Sequence, residues 1–262
     1  MSAPVPAEQA KIHPYVLLIS GADPTCGAGV SADVRTACST GVRPLIAITA
    51  LTAQTDSAYL NSHVPPPESL QAQLSAAERQ SSSNLAAVKI GMLPDVPSVR
   101  IVTEFLKRHR PPNVVFDPVL VSTSGGVLAS ESALEAMKEL LFPLLSVLTP
   151  NLLEVQKITG VTVKNEEDLP AAAERILEYG SKAVYLKGGH MKGDECVDLL
   201  HARDQGELRR YRHPCLLGPS PRGTGCRLAT SLASQLALGR DLLQATEAAR
   251  DYVQQYLRRT LS

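Results

Sequence analysis

The sequence predicts an α/β protein with a central, mostly parallel sheet flanked by helices. Three observations carry that expectation. Short apolar runs alternate with longer segments of helical periodicity along nearly the whole chain, as strand–helix–strand units do. Polar residues or glycines repeatedly stand just after the apolar runs: Gly21, Gln54, Gly91-Met92, Asp117, Asn151 with Glu154, and Lys187-Gly188-Gly189. In a parallel sheet such positions share one rim, where ligands bind. Finally, Pro221-Arg222-Gly223-Thr224-Gly225-Cys226 forms a glycine turn feeding a late apolar-periodic helix. That junction offers unpaired backbone N–H groups and the positive end of a helix dipole to an anion.

Taken in order, Tyr15–Ser20 is a buried-strand candidate ending at Gly21. The glycine-rich loop Gly21–Gly29 follows, then a helix to Thr40 with Gly41 past its end. The loop lacks the Walker A pattern and a full dinucleotide fingerprint, so its glycines more simply let backbone approach a small ligand. Leu45–Thr52 is the second strand, Ala53–Ser57 a polar loop, and Ala58–Val64 a short strand set outside the main sheet. Pro67 suits a first helical position before Glu68–Gln80. Leu85–Ile90 is a strand and Val96–Arg110 a helix, followed by the strand Asn113–Phe116. Val121–Val127 is a loop of small residues, Glu131–Leu141 a helix and Ser146–Leu148 a short strand. Helices over Leu152–Thr159 and Glu167–Tyr179 precede the strand Ala183–Leu186. Val197–His201 and Leu208–Arg212 read as an antiparallel pair, and helices Gly225–Leu238 and Asp241–Leu257 close the chain. No repeat or long linker divides it, so a tail over 1–14 and one domain over 15–262 are expected.

Composition narrows the function. Lys plus Arg, 26, equals Asp plus Glu, 26, so no basic excess points to nucleic acid or an anionic membrane. No apolar run reaches the ~18 residues of a membrane span, and residues 1–14 lack a signal-peptide core. A cytoplasmic protein is expected. Its five cysteines form no C-x-x-C pair, so reduced thiols are expected and a zinc knuckle is not.

The candidate chemistry sits at the strand ends. Cys226 lies in a first helical turn, where the helix field favours a thiolate; the bland alternative is a small core residue. Asp117 and Glu154 suit Mg²⁺, which takes few carboxylates and keeps water. They also suit a turn before proline and a helix-start charge. Lys187, before two glycines, is placed to reach a phosphate or to be solvated at a strand end. Gln54 offers an amide for a heteroaromatic edge, and Met92 a thioether for a ring or for the core.

These residues fall within "GADPTCGAGVSAD", "ITALTAQ", "VKIGML", "VVFDPV", "LTPNLLE", "LKGGH" and "RGTGC". In that order and spacing, from about Tyr15 to Tyr256, the chain resembles the hydroxymethylpyrimidine/phosphomethylpyrimidine kinases of thiamin biosynthesis, which are ribokinase-like. The resemblance implies ATP-dependent phosphorylation of the pyrimidine alcohol and of its monophosphate, with ATP and Mg²⁺ required and a homodimer as the assembly. It implies that Gln54, Gly21, Asp33 and Met92 line the pyrimidine site. Asn151 and Glu154 would organise Mg²⁺ and water, with Asp117 and Lys187 on the phosphate path. Gly223, Thr224 and Gly225 would form the anion hole and Cys226 would be the base.

Three positions depart from the family pattern: Cys26 replaces a glycine, Arg222 stands where histidine is frequent, and Thr123 replaces a lysine. Pyridoxal kinase is the alternative. Relatives with that activity carry a second cysteine in the loop after D-P-V, and Val121–Gly126 has none. A non-catalytic relative would have lost Cys226 or the glycine turn, and both are present.

Overall fold

The computed structural model describes residues 13–82, 84–122, 125–189, 195–215 and 221–261. Most of the expected N-terminal tail, together with Thr123 and His190, lies outside the described residues.

The strands form one nine-stranded sheet in the order β3-β2-β1-β4-β5-β6-β7-β8-β9. They are β1 (Tyr15–Ala22), β2 (Arg43–Gln54), β3 (Tyr59–His63), β4 (Leu85–Ile90), β5 (Val114–Phe116), β6 (Val147–Leu148), β7 (Ala183–Leu186), β8 (Glu195–Ala202) and β9 (Gly206–Pro214). The pairs from β2 through β7 are parallel, and β3, β8 and β9 are antiparallel edges. One expectation is corrected here. The 59–63 strand belongs to the main sheet, because a short polar turn returns the chain along β2 and pairs Ala53 with Asn61.

The helices are α1 (Gly29–Thr40), α2 (Pro67–Ser81), α3 (Val96–His109), α4 (Glu131–Ala136), α5 (Leu152–Thr159), α6 (Leu169–Leu177), α7 (Thr224–Ala237) and α8 (Leu242–Leu261). The single helix expected over 131–141 is divided. After α4 the turn widens over Met137–Leu141 and then tightens over Phe142–Leu144, where Pro143 has no N–H to continue the ladder. Pro170 similarly sits at the start of α6, behind a tight turn over Glu166–Asp168.

Alternation along the strands builds two cores. Leu17, Ile19, Val88, Ile90 and Phe116 face α2 to α6, while Val16, Leu18, Ala87, Val115 and Tyr185 face α1, α7 and α8. At ~25 cal/mol per Å² of apolar surface, these two layers supply the main drive to fold. None of the helices in the described residues is long and apolar enough to cross a membrane.

The cysteine expectation is also corrected. Cys196 and Cys215 form a disulfide, with Cα atoms 5.1 Å apart. The register pairs Cys196 with His213 and Glu195 with Pro214, so the open end of the β8–β9 hairpin brings the two together. The sequence separation of 19 conceals that proximity. Cys26, Cys38 and Cys226 are free thiols.

Candidate active site

The strand order reverses between β1 and β4, and their carboxyl ends open a crevice there. The loop after β1 fills one side of it. Asp23 accepts hydrogen bonds from the Thr25 and Ala28 backbone N–H groups, which curls the loop before α1. Gly29 has φ +58°, and a side chain there would lie 2.3 Å from the Gly21 carbonyl oxygen. Gly21 in turn lies against Met92, whose Sδ would be 3.0 Å from a Cβ at position 21. Gln54 ends β2, half-buried, and donates from Nε2 to Thr52 Oγ1 at 2.9 Å. Gly21, Met92 and Gln54 thus stand along one end of the sheet.

Asp33 is placed differently from the other three. It is fully buried, with Oδ2 2.8 Å from Lys89 Nζ and Oδ1 accepting from Thr230 Oγ1 at 2.7 Å. Its carboxylate faces the interior behind the loop and not an open pocket.

The other side is assembled from the ends of β5, β6 and β7. Lys187 Nζ lies 2.7 Å from Asp117 Oδ1 and 3.8 Å from Glu154 Oε2. Asn151 and Glu154 cap α5 reciprocally: Glu154 N–H donates to Asn151 Oδ1 at 2.9 Å, and Asn151 N–H donates to Glu154 Oε2 at 2.7 Å. Glu154 is therefore both a helix-start group and a neighbour of Lys187.

Burial, aided by the Asp117 charge, pushes the Glu154 carboxyl up to about 7, although Lys187 and the Asn151 N–H oppose the rise. Burial works against the Lys187 charge too. Asp117 first, then Glu154, overcomes that and holds the ammonium above the ordinary lysine range. The start of α7 closes this side, since a Cβ at Gly225 would lie 3.2 Å from both Asp117 Oδ2 and Lys187 Nζ.

Gly223 joins the two sides. Its φ is +75°, and a Cβ there would come 2.3 Å from the Gly27 carbonyl oxygen. Arg227 Nη1 donates to the carbonyls of Gly27, Arg222 and Gly223. Arg222 reaches further, donating to Asp23 Oδ2 at 3.1 Å, Thr25 Oγ1 at 3.1 Å, the Thr55 carbonyl at 3.0 Å and Asp56 Oδ1 at 3.3 Å.

Cys226 follows, only 9 % exposed. The expected thiolate bias is corrected at this position. Burial pushes the thiol up to about 11, with Asp33 and Asp117 adding to the rise and Lys89 and the Gly29 N–H opposing it. The helix start is real, but desolvation exceeds it.

Sequence reasoning passed over Lys89 and saw Arg222 only as a departure. The available signal for Lys89 was a cation inside the apolar run Leu85–Ile90. No local signal pairs Arg222 with Asp23, 199 residues away.

Known proteins resemble this chain in sequence and in fold. The chain is 39% identical over 253 residues to a hydroxymethylpyrimidine/phosphomethylpyrimidine kinase of Streptomyces coelicolor, covering 97% of this chain and 91% of that one. The crystal structure of a phosphomethylpyrimidine kinase from Clostridium difficile superposes with TM-score 0.80 at 31% identity, covering 93% of this chain and 99% of that chain. The pyridoxal kinase from Staphylococcus aureus, in complex with pyridoxal, gives TM-score 0.84 at 26% identity, covering 94% of this chain and 88% of that chain. The same S. aureus kinase is also known in complex with ADP. The shared fold is ribokinase-like. The phosphomethylpyrimidine kinase family model matches residues 23–262, nearly the whole chain, and the chain belongs to that family.

Proposed function

We propose that this protein transfers the γ-phosphoryl group of ATP to the hydroxymethyl oxygen of 4-amino-5-hydroxymethyl-2-methylpyrimidine, and then phosphorylates the monophosphate. One observation carries the reading: the Gly223–Cys226 turn, the Asp117–Lys187 pair and the Gly21–Gly29 loop meet at one crevice. Phosphoryl transfer needs mainly positioning and charge stabilisation, which such a site provides.

Gln54, with Gly21 and Met92, holds the pyrimidine, and Asp33 backs the loop from behind. Backbone N–H groups at Gly223, Thr224 and Gly225 cradle the transferring phosphoryl oxygens. Lys187, kept protonated by Asp117, neutralises charge on the phosphates, and Asn151 fixes the helix start beside them. The substrate oxygen bonds to the γ-phosphorus as the bond to ADP breaks. The hydroxyl proton passes to Cys226 sulfur, which must be a thiolate to accept it.

The donor set fits Mg²⁺. Glu154 and Asp117 are two carboxylates at one place, and no larger cluster of metal-ligating side chains occurs among the described residues. Mg²⁺ takes few carboxylates and keeps its waters. Glu154, with Asp117 beside it, would hold the ion, which supplies charge neutralisation on the phosphates.

Ile46, Leu51 and Leu60 are 45%, 48% and 69% exposed along β2 and β3, which supports a homodimer through that edge. Light scattering tests the assembly, and cell fractionation tests the expected cytoplasmic location.

Product analysis with ATP and Mg²⁺ decides the activity. The pyrimidine alcohol, its monophosphate and pyridoxal are run in parallel, and turnover of both pyrimidines above pyridoxal is expected. Exclusive turnover of pyridoxal would overturn the assignment. Cys226→Ser should lower turnover by about 10²–10⁴ with ligand binding retained, the usual worth of a general base. A wild-type rate would leave the anion hole and cations to act without it.

A further inference from the structure

Directly after Cys226, helix α7 carries an arginine with only 5 % of its surface exposed. The partners of Arg227 are neutral. Its Nη1 donates to the Gly27 carbonyl at 2.9 Å, to the Arg222 carbonyl at 3.2 Å and to the Gly223 carbonyl at 3.1 Å. Its guanidinium carbon lies 3.9 Å from the centre of the Tyr256 ring, on α8. A buried cation is costly unless its hydrogen bonds are met, and here backbone carbonyls of the turn and of the loop after β1 meet them. The approach depends on glycine, because a Cβ at Gly223 would lie 2.5 Å from Nη1.

The helix and the peptide group give these contacts a direction. Residues two apart lie on nearly opposite sides of an α-helix. Gly225 is set against the crevice, since a Cβ there would lie 3.2 Å from both Asp117 Oδ2 and Lys187 Nζ. Arg227 is set against α8. In a planar trans peptide the C=O and the N–H that follows it point opposite ways. Holding the Arg222 and Gly223 carbonyls therefore turns the N–H groups of Gly223 and Thr224 away from the guanidinium. The Gly27 carbonyl, on the same nitrogen, ties the turn to the loop after β1.

We propose that Arg227 is a positioning residue for phosphoryl transfer: it holds the Arg222 and Gly223 carbonyls so that the Gly223 and Thr224 N–H groups face the Asp117–Lys187 side of the crevice. This deepens the anion-hole role proposed for Gly223, Thr224 and Gly225 and rests on that reading. With so little surface exposed, Arg227 acts through two peptide groups and not on a ligand. Arginine suits the task, because its planar guanidinium is preorganised while a lysine ammonium rides on a flexible stem. The Tyr256 ring seats that plane from the α8 side.

Nuclear magnetic resonance and kinetics together test this. The non-hydrolysable analogue AMP-PCP, with Mg²⁺, is titrated into the protein while the backbone amides of Gly223 and Thr224 are followed. Both amides should shift in the wild type. In Arg227→Gln the shifts should be largely lost while calorimetry still counts AMP-PCP at wild-type stoichiometry, so that the sites themselves are intact. Turnover should fall by about 10²-fold, the usual result of a misplacement of about 1 Å. The loss should lie mainly in kcat and less in KM for ATP, because misaimed donors fail most where charge develops. Arg227→Lys keeps a cation without the planar group and should show the same changes to a smaller extent. Wild-type amide shifts in Arg227→Gln, a wild-type rate, or a loss confined to KM overturns the proposal. If Arg227→Gln does not fold or loses sites, Arg227→Lys decides alone: diminished shifts with a lowered kcat support the proposal, and wild-type values overturn it. Amides that stay still in the wild type defeat the anion-hole reading and this proposal with it, whereas equal shifts in wild type and variant remove Arg227 alone.

Discussion

Replacing Gly223 by alanine tests whether the turn before α7 and the loop after β1 truly interlock. Two costs follow from the geometry. A non-glycine residue at φ +75° is strained by about 1–3 kcal/mol. The new methyl also meets the Gly27 carbonyl at 2.3 Å, Arg227 Nη1 at 2.5 Å and the Ala28 Cα at 3.0 Å. Forcing it in adds about 1–3 kcal/mol more, as overpacking generally does. Together these remove about 2–6 kcal/mol, a large part of a typical total stability. Each kcal/mol is worth about 2–4 °C of Tm in a chain of this size.

Gly41→Ala is the control, because Gly41 has φ +84° and nothing within 4 Å of its would-be Cβ. It carries the strain without the collision. Thermal unfolding and ATP consumption are measured on both variants. Gly223→Ala should melt well below Gly41→Ala and lose about 10²-fold in turnover, the usual result of a misplacement of about 1 Å. Equal melting of the two variants, with wild-type turnover in Gly223→Ala, would refute the interlock.

Other perturbations address the remaining parts of the site. Gln54→Leu should weaken pyrimidine binding by about 1–3 kcal/mol and leave ATP binding intact, since it strands polar groups of the ring; titration of both ligands checks this. Glu154→Gln should raise the Mg²⁺ concentration needed for half-maximal rate while circular dichroism stays native. An unmoved Mg²⁺ curve would return Glu154 to its capping role alone. His213 Nε2 lies 3.3 Å from buried Asp198, which raises the imidazole above its ordinary value of 6.5. A raised folded-state value stabilises fully below the unfolded one and fades as pH rises through the folded one. His213→Asn should therefore lower Tm near pH 5.5 and matter little near pH 9; an equal loss at both would remove the charge from the account.

The sheet was legible because each strand is a short apolar run with a turn residue behind it. Tyr15–Ser20, Leu85–Ile90 and Ala183–Leu186 lie within or coincide with observed strands. The edge strand β3 was misplaced because its residues are polar and half-exposed, so nothing local shows which strand it joins. The parts of the site that are contiguous in sequence, such as Asn151 with Glu154, were visible as a capping pattern. Long-range pairs were not: Lys89 with Asp33, Arg222 with Asp23, and Cys196 with Cys215 exist only once the chain is wound. Burial was equally hidden. It turns the Cys226 position from one that favours a thiolate into one that resists it.

The contacts of Arg222 bear on how a ligand is captured. This one guanidinium holds the turn before α7, the loop after β1 and the turn after β2 at the same time. Movement of any one of the three breaks its own bond to this guanidinium, so Arg222 ties their positions to one another. Segments tied together in this way are ordered before a ligand arrives, which lowers the entropic cost of capture.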